Sequence, residues 1–220
     1  MVFKGAHLND SWNAYLGPKT IGLVPVAFRA NRLQEMVEAI PFAKKVGAPS
    51  MTSHVGYLPE NPNDPNYIGT IVALKVLCTA LKNNGMSFNF ETGQETPTTL
   101  LRAIVDIELD NVGINLDPAN LITDGKANPC DAMDTIGAYI RGIHVKDGLY
   151  PTNGQDDGDE TRVGEGRVDF PRLVKLLNEY KYSGPFTIER EIPESDRQTS
   201  DILGAMKVIK TEYDKYNWSF

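Results

Sequence analysis

Val112-Gly113-Ile114-Asn115-Leu116-Asp117 reads as a short strand with two unlike faces. Successive side chains on a strand point to opposite sides. Ile114 and Leu116 therefore share one face, and Asn115 and Asp117 the other. The same asymmetry recurs along the chain. Phe88 and Phe90 oppose Asn89 and Glu91, Ile143 and Val145 oppose His144 and Lys146, and Phe186 and Ile188 oppose Thr187 and Glu189. In Ser50-Met51-Thr52-Ser53-His54, His54 falls on the face of Ser50 and Thr52. The runs Ala48–Val55, Met86–Glu91, Val112–Asp117, Gly142–Asp147 and Pro185–Glu191 are each bounded by turn-forming residues. One face is large and apolar; the other is small or polar and ends in an ionisable residue.

Helical patterns fill the gaps. Arg32–Val46 sets Leu33, Met36, Val37, Ile40 and Ala43 on one side, with a break or kink expected at Pro41 and a stop at Gly47. Tyr67–Asn83 carries Ile68, Ile71, Val72, Val76, Leu77 and Leu81. Thr96-Pro97 is a cap followed by a first-turn proline, ahead of Leu100, Leu101, Ile104 and Val105. Asp131–Ile140, a helix opened by Asp169-Phe170-Pro171, and Ser200–Tyr213 complete the set. Strand alternating with helix implies the α/β class with parallel strands. An open doubly wound sheet is helix-covered on both faces and should read apolar on both. A TIM-type (β/α) barrel is covered only outside, and its inner face converges on the C-terminal mouth. The two-faced strands select the barrel.

Converging charge at that mouth needs compensation, because unpaired buried charge is costly. Glu91, Asp117, His144 and Glu189 supply three oxygen donors and one nitrogen, a set suited to manganese, magnesium, zinc or cobalt. The other classes recede. Lysine plus arginine is 22 against 29 aspartate plus glutamate, a net charge of −7, which argues against a partner bound through nucleic-acid phosphates. Hydrophobic residues at 41% and charged residues at 23% are ordinary for a globular chain. Cys78 and Cys130 read as two reduced thiols. With no signal-peptide pattern in MVFKGAHLND and no apolar run near ~20 residues, the expectation is a cytoplasmic protein without a membrane partner.

The segments Ser53-His54-Val55-Gly56-Tyr57-Leu58-Pro59, Phe90-Glu91-Thr92-Gly93-Gln94-Glu95-Thr96, Asn115-Leu116-Asp117-Pro118-Ala119-Asn120-Leu121, Ile143-His144-Val145-Lys146-Asp147-Gly148, Val163-Gly164-Glu165-Gly166 and Thr187-Ile188-Glu189-Arg190-Glu191 occur in one order from about Thr20 onward. Together they resemble the xylose isomerase-like TIM-barrel superfamily, in particular its sugar phosphate isomerase/epimerase members. The resemblance implies that Glu91, Asp117, His144 and Glu189 are the ligands of one divalent ion, manganese first. It also implies that Glu91 and Glu189 are the catalytic pair, moving a proton through a metal-stabilised enediolate. His54, Gln94, Asn120 and Lys146 then contact the substrate, a small sugar, sugar phosphate or related polyol, and the loop Gly164-Glu165-Gly166 borders the pocket.

Two departures bear on this. The endonuclease IV branch carries a histidine three residues after the aspartate, where this chain has Asn120, and the only histidines are His7, His54 and His144. A multi-zinc nuclease or phosphoesterase is therefore the second reading. A polyol dehydratase and a non-catalytic truncated barrel are further alternatives. Length is the other departure. Only 47 residues precede Ala48, whereas Glu91 to Asp117 takes 26 and Asp117 to His144 takes 27. The expectation is a single domain over residues 1–220 that lacks roughly the first two to three strand–helix units, matching the family from the end of its third strand at Met1–Gly5. Such a barrel should cover its open edges as a homo-oligomer, through Met1–Pro25 or Pro185–Glu191.

Overall fold

The computed structural model describes residues 15–216 and residue 218. His7 and the Met1–Gly5 match lie outside the described residues, as does most of Met1–Pro25. The elements run α1 (Gly17–Thr20), α2 (Val26–Lys45), β1 (Ser50–Ser53), α3 (Pro65–Lys82), β2 (Ser87–Glu91), α4 (Pro97–Ile107), β3 (Val112–Leu116), α5 (Pro118–Thr123) and α6 (Pro129–Ile136). A 3₁₀ turn at Gly137–Tyr139 leads into β4 (Ile140–Val145), followed by β5 (Asp147–Gly148), β6 (Glu160–Thr161), α7 (Phe170–Glu179), β7 (Phe186–Ile188) and α8 (Asp196–Tyr213).

The five long-range strands pair in the order β1-β2-β3-β4-β7, all parallel, and the sheet curls as an incomplete TIM barrel. Helices α2, α3, α4, α6, α7 and α8 pack side by side on its outside. Phe88, Phe90, Ile114, Leu116, Ile143 and Val145 face them and are buried to 1% exposure or less. The inner face takes the polar parity. Asn89 pairs in register with Gly113, and Asn115 with Gly142. A Cβ at Gly142 would stand 2.4 Å from Asn115 Oδ1, so the amide fits only because its neighbour has no side chain. β5 and β6 form a separate antiparallel pair that the sequence reading did not anticipate.

Some boundaries differ from expectation. α2 starts at Val26 and continues through Pro41 instead of breaking there, because Met36 and Ile40 anchor it to the core on the turn before the proline. α3 turns Tyr67, Ile71, Leu74, Leu77, Cys78 and Leu81 inward, leaving Ile68, Val72 and Val76 exposed. The helix has more apolar residues than one face can bury. Cys78 and Cys130 are free and buried. No described helix is long and apolar enough to cross a membrane.

Candidate functional site

Strand register levels the ionisable residues. Glu91 pairs with Asn115, two residues before Asp117; Asn115 pairs with Gly142, two before His144; His144 pairs with Thr187, two before Glu189. Steps of two preserve parity, so all four side chains emerge on the inner face near the C-terminal ends of β2, β3, β4 and β7. One ligand atom from each of Glu91, Asp117, His144 and Glu189 lies within 4.8 Å of the other three.

His144 Nδ1 is 2.8 Å from Glu91 Oε1, 3.2 Å from Glu189 Oε2 and 3.6 Å from Asp117 Oδ2. None of these oxygens completes an aligned hydrogen bond with it, and Asp117 Oδ2 is likewise buried without a partner. Asp117 is fully buried. Its Oδ1 accepts from the Asn120 N–H at 2.9 Å, and its own N–H donates to Thr92 Oγ1 at 2.8 Å. Burial raises the Asp117 carboxyl above the ordinary carboxylate range. Burial opposes ionisation at Glu189 too, but His144 and Lys146 outweigh it and hold that carboxyl low. Burial would lower the His144 pKa, yet the carboxylates of Asp117, Glu189 and Glu91 beside it raise it to about 12. Three carboxylates converging on one imidazole nitrogen, with two of the converging atoms unpartnered, fit a divalent cation of the harder kind.

A cavity of about 450 Å³ opens above the cluster, lined also by Thr52, His54, Gln94, Asn120, Asp124, Lys146 and Glu191. His54 is kept neutral chiefly by burial, which lowers its pKa. Gln94 Nε2 donates to Asp124 Oδ2 at 3.2 Å. Between them runs Gly93, where a Cβ would stand 2.8 Å from that same oxygen. Asp124 is pushed up to about 7 by burial and by Asp157. Lys146 Nζ reaches Asn120 Oδ1 at 3.3 Å and Glu189 Oε2 at 3.2 Å, and it also bonds Glu191 Oε2.

Seven of the eight residues singled out from the sequence thus line one cavity, and the eighth, Asp117, lies buried beside it in the same cluster. Glu191 and Asp124 were missed. Glu191 continues the parity of Thr187 and Glu189, a signal that was legible. Asp124 enters from the residue that caps the end of α5, where nothing in the sequence marks it. The loop Gly164-Glu165-Gly166 does not line this cavity. Its backbone is held instead by Asp147, whose carboxylate accepts from the N–H groups of Gly148, Gly164, Gly166 and Val168.

The sequence profile of the xylose isomerase-like TIM-barrel family matches residues 10–211. A xylose isomerase domain protein from Planctomyces limnophilus is 34% identical, with a TM-score of 0.87 over 97% of this chain and 75% of that one. The uncharacterized protein MJ1311 of Methanocaldococcus jannaschii is 27% identical over 179 residues, 76% of this chain. The match spans 59% of the archaeal protein's length. Two more distant structures share the fold. A xylose isomerase-like TIM barrel protein from Mycobacterium smegmatis in complex with magnesium has a TM-score of 0.69 at 19% identity, covering 88% of this chain and 70% of that one. A D-tagatose 3-epimerase-like protein has 0.70 at 20%, covering 89% and 74%.

Proposed function

This chain belongs to the xylose isomerase-like TIM-barrel family, and from that premise we propose that it is a divalent-metal-dependent isomerase or epimerase of a small sugar or related polyol. The observation that carries the reading is the cluster of Glu91, Asp117, His144 and Glu189 at the floor of a sugar-sized cavity. The magnesium complex and the epimerase-like protein among its structural neighbours support the metal and the reaction class.

Glu91, Asp117, His144 and Glu189 would hold the ion. When bound, it would act as a Lewis acid that polarises a substrate carbonyl. In this reading Glu91 and Glu189 take a proton from the carbon next to that carbonyl and return one. Return to the opposite face gives epimerisation, and return to the neighbouring position gives isomerisation. Such positioned acid–base groups contribute roughly 10²–10⁴-fold in rate. Glu189 is available to accept a proton because Lys146 and His144 keep it ionised. Lys146 and Asn120 would hold a substrate hydroxyl, and His54, kept neutral, would orient another without competing for the proton.

The test is wash-in of solvent deuterium beside the carbonyl of each member of a ketose panel, with manganese added. Glu91→Gln and Glu189→Gln proteins should lose most of that exchange, and the metal content of each is measured first. Hydrolysis of an abasic-site DNA duplex with no exchange into any sugar would reverse the reading in favour of a nuclease.

A further inference from the structure

The charge around the cavity is lopsided. Lys146 is the lone ammonium among the described lining residues, and no guanidinium reaches them. Its Nζ is already engaged by Glu189 and Glu191. Arg190, between those two glutamates in sequence, is turned the other way. Its Nη1 is 2.7 Å from Glu160 Oε1 and its Nε is 3.0 Å from Asp201 Oδ2. Glu160 also accepts from the Glu191 N–H, at 3.1 Å to each carboxylate oxygen. Glu191 is thereby fixed at the rim, facing Lys146, by groups outside the pocket.

Helix N-termini offer no substitute for the missing cations. At α5 the Asp117 carboxylate already takes the Asn120 N–H, and at α4 the Thr96 hydroxyl takes the Thr99 N–H. With a divalent ion bound and Asp124 protonated, the carboxylates of Glu91, Asp117, Glu189 and Glu191 still exceed the positive charge by one. The neutral groups beside them, His54, Gln94, Asn120 and Thr52, suit hydroxyls.

We propose that Glu191 is a specificity-determining residue that makes this pocket take an uncharged polyhydroxylated substrate and refuse a phosphorylated or carboxylated one. It does so by occupying the Lys146 ammonium and by adding a carboxylate at the entrance. The proposal rests on the isomerase reading above and narrows its substrate class.

The experiment compares sugars with their phosphates on the manganese-loaded protein: D-fructose with its 1- and 6-phosphates, D-tagatose with its 6-phosphate, and D-ribulose with its 5-phosphate. Deuterium wash-in yields kcat/KM for each, and calorimetry yields Kd without turnover. The wild type should favour the free sugar by about tenfold or more in every reacting pair, since a phosphate dianion meets uncompensated carboxylate at short range. Glu191→Gln keeps the shape and removes the charge, so that ratio should fall by about tenfold in both measurements. A wild type that prefers the phosphorylated member, or a ratio unchanged in Glu191→Gln, overturns the proposal and leaves the isomerase reading standing. No exchange into either member of any pair overturns that reading, and the proposal with it.

Discussion

Asp117 divides its carboxylate between structure and chemistry. Oδ1 caps α5 through the Asn120 N–H, while Oδ2 points into the cluster without a hydrogen-bond partner. Asp117→Asn keeps a good capping group but forfeits the anionic ligand. Calorimetric manganese affinity should drop by about a hundredfold or more, with little change in the denaturation midpoint of the metal-free protein. Asp117→Ala loses both functions and should lower stability by about a further 1 kcal/mol. Glu95 makes a second residue-scale case. It is 2% exposed and neither carboxylate oxygen has a partner. Burial, reinforced by Asp124, pushes its carboxyl up to about 8. The native state therefore holds a proton that the unfolded chain releases near pH ~4.3, and stability falls as pH rises from there to about 8. Glu95→Gln should flatten that dependence and be more stable than the wild type at pH 8.5, by an amount on the order of a few kcal/mol, read as a higher melting temperature. Equal melting temperatures at pH 5 and pH 8.5 in the wild type would remove the argument.

At the scale of elements, helix starts were more legible than helix faces. Thr96-Pro97 and Asp169-Phe170-Pro171 both open helices with a side-chain cap, as their residue types require. α3 and α6 use the same device with Asp64-Pro65 and Asn128-Pro129. Asn128 Oδ1 accepts from the N–H groups of both Cys130 and Asp131. Asn128→Ala should therefore cost about 1 kcal/mol, read as a fall of about 2–4 °C in Tm with the site intact. Faces are another matter. On α3 the spacing allowed Ile68, Val72 and Val76 to face inward, and the fold chose Tyr67, Leu74 and Cys78 instead. A helix with apolar residues nearly all round does not announce its buried stripe, because that is set by which neighbours it meets. β-strand parity suffers no such ambiguity. A period of two leaves only two faces, and in β2, β3 and β4 one of them was plainly apolar.

On the scale of the whole molecule, the sheet ends at β1 on one side and β7 on the other among the described residues. Edge strands of a parallel sheet invite pairing unless they are covered, and the chain taken by itself should run as a dimer or larger assembly in light scattering at micromolar concentration. A monodisperse monomer would show that those edges are covered within the chain. Manganese at a hundredfold its Kd should raise the melting temperature by about 5–10 °C, and chelator should reverse it. The sequence by itself determined the barrel class, the inward parity of Glu91, Asp117, His144 and Glu189, and the capped helix starts at Thr96 and Asp169, because each follows from a local period or a local hydrogen bond. Only the tertiary structure decided that a two-residue step in each register brings four ligand atoms within 4.8 Å. It alone also decided that the Gly164–Gly166 backbone is tied to Asp147 away from the cavity, and that Arg190 turns out to Asp201 while Glu191 turns in to Lys146. Those facts depend on pairing between segments far apart in the chain, which no local pattern of residues encodes.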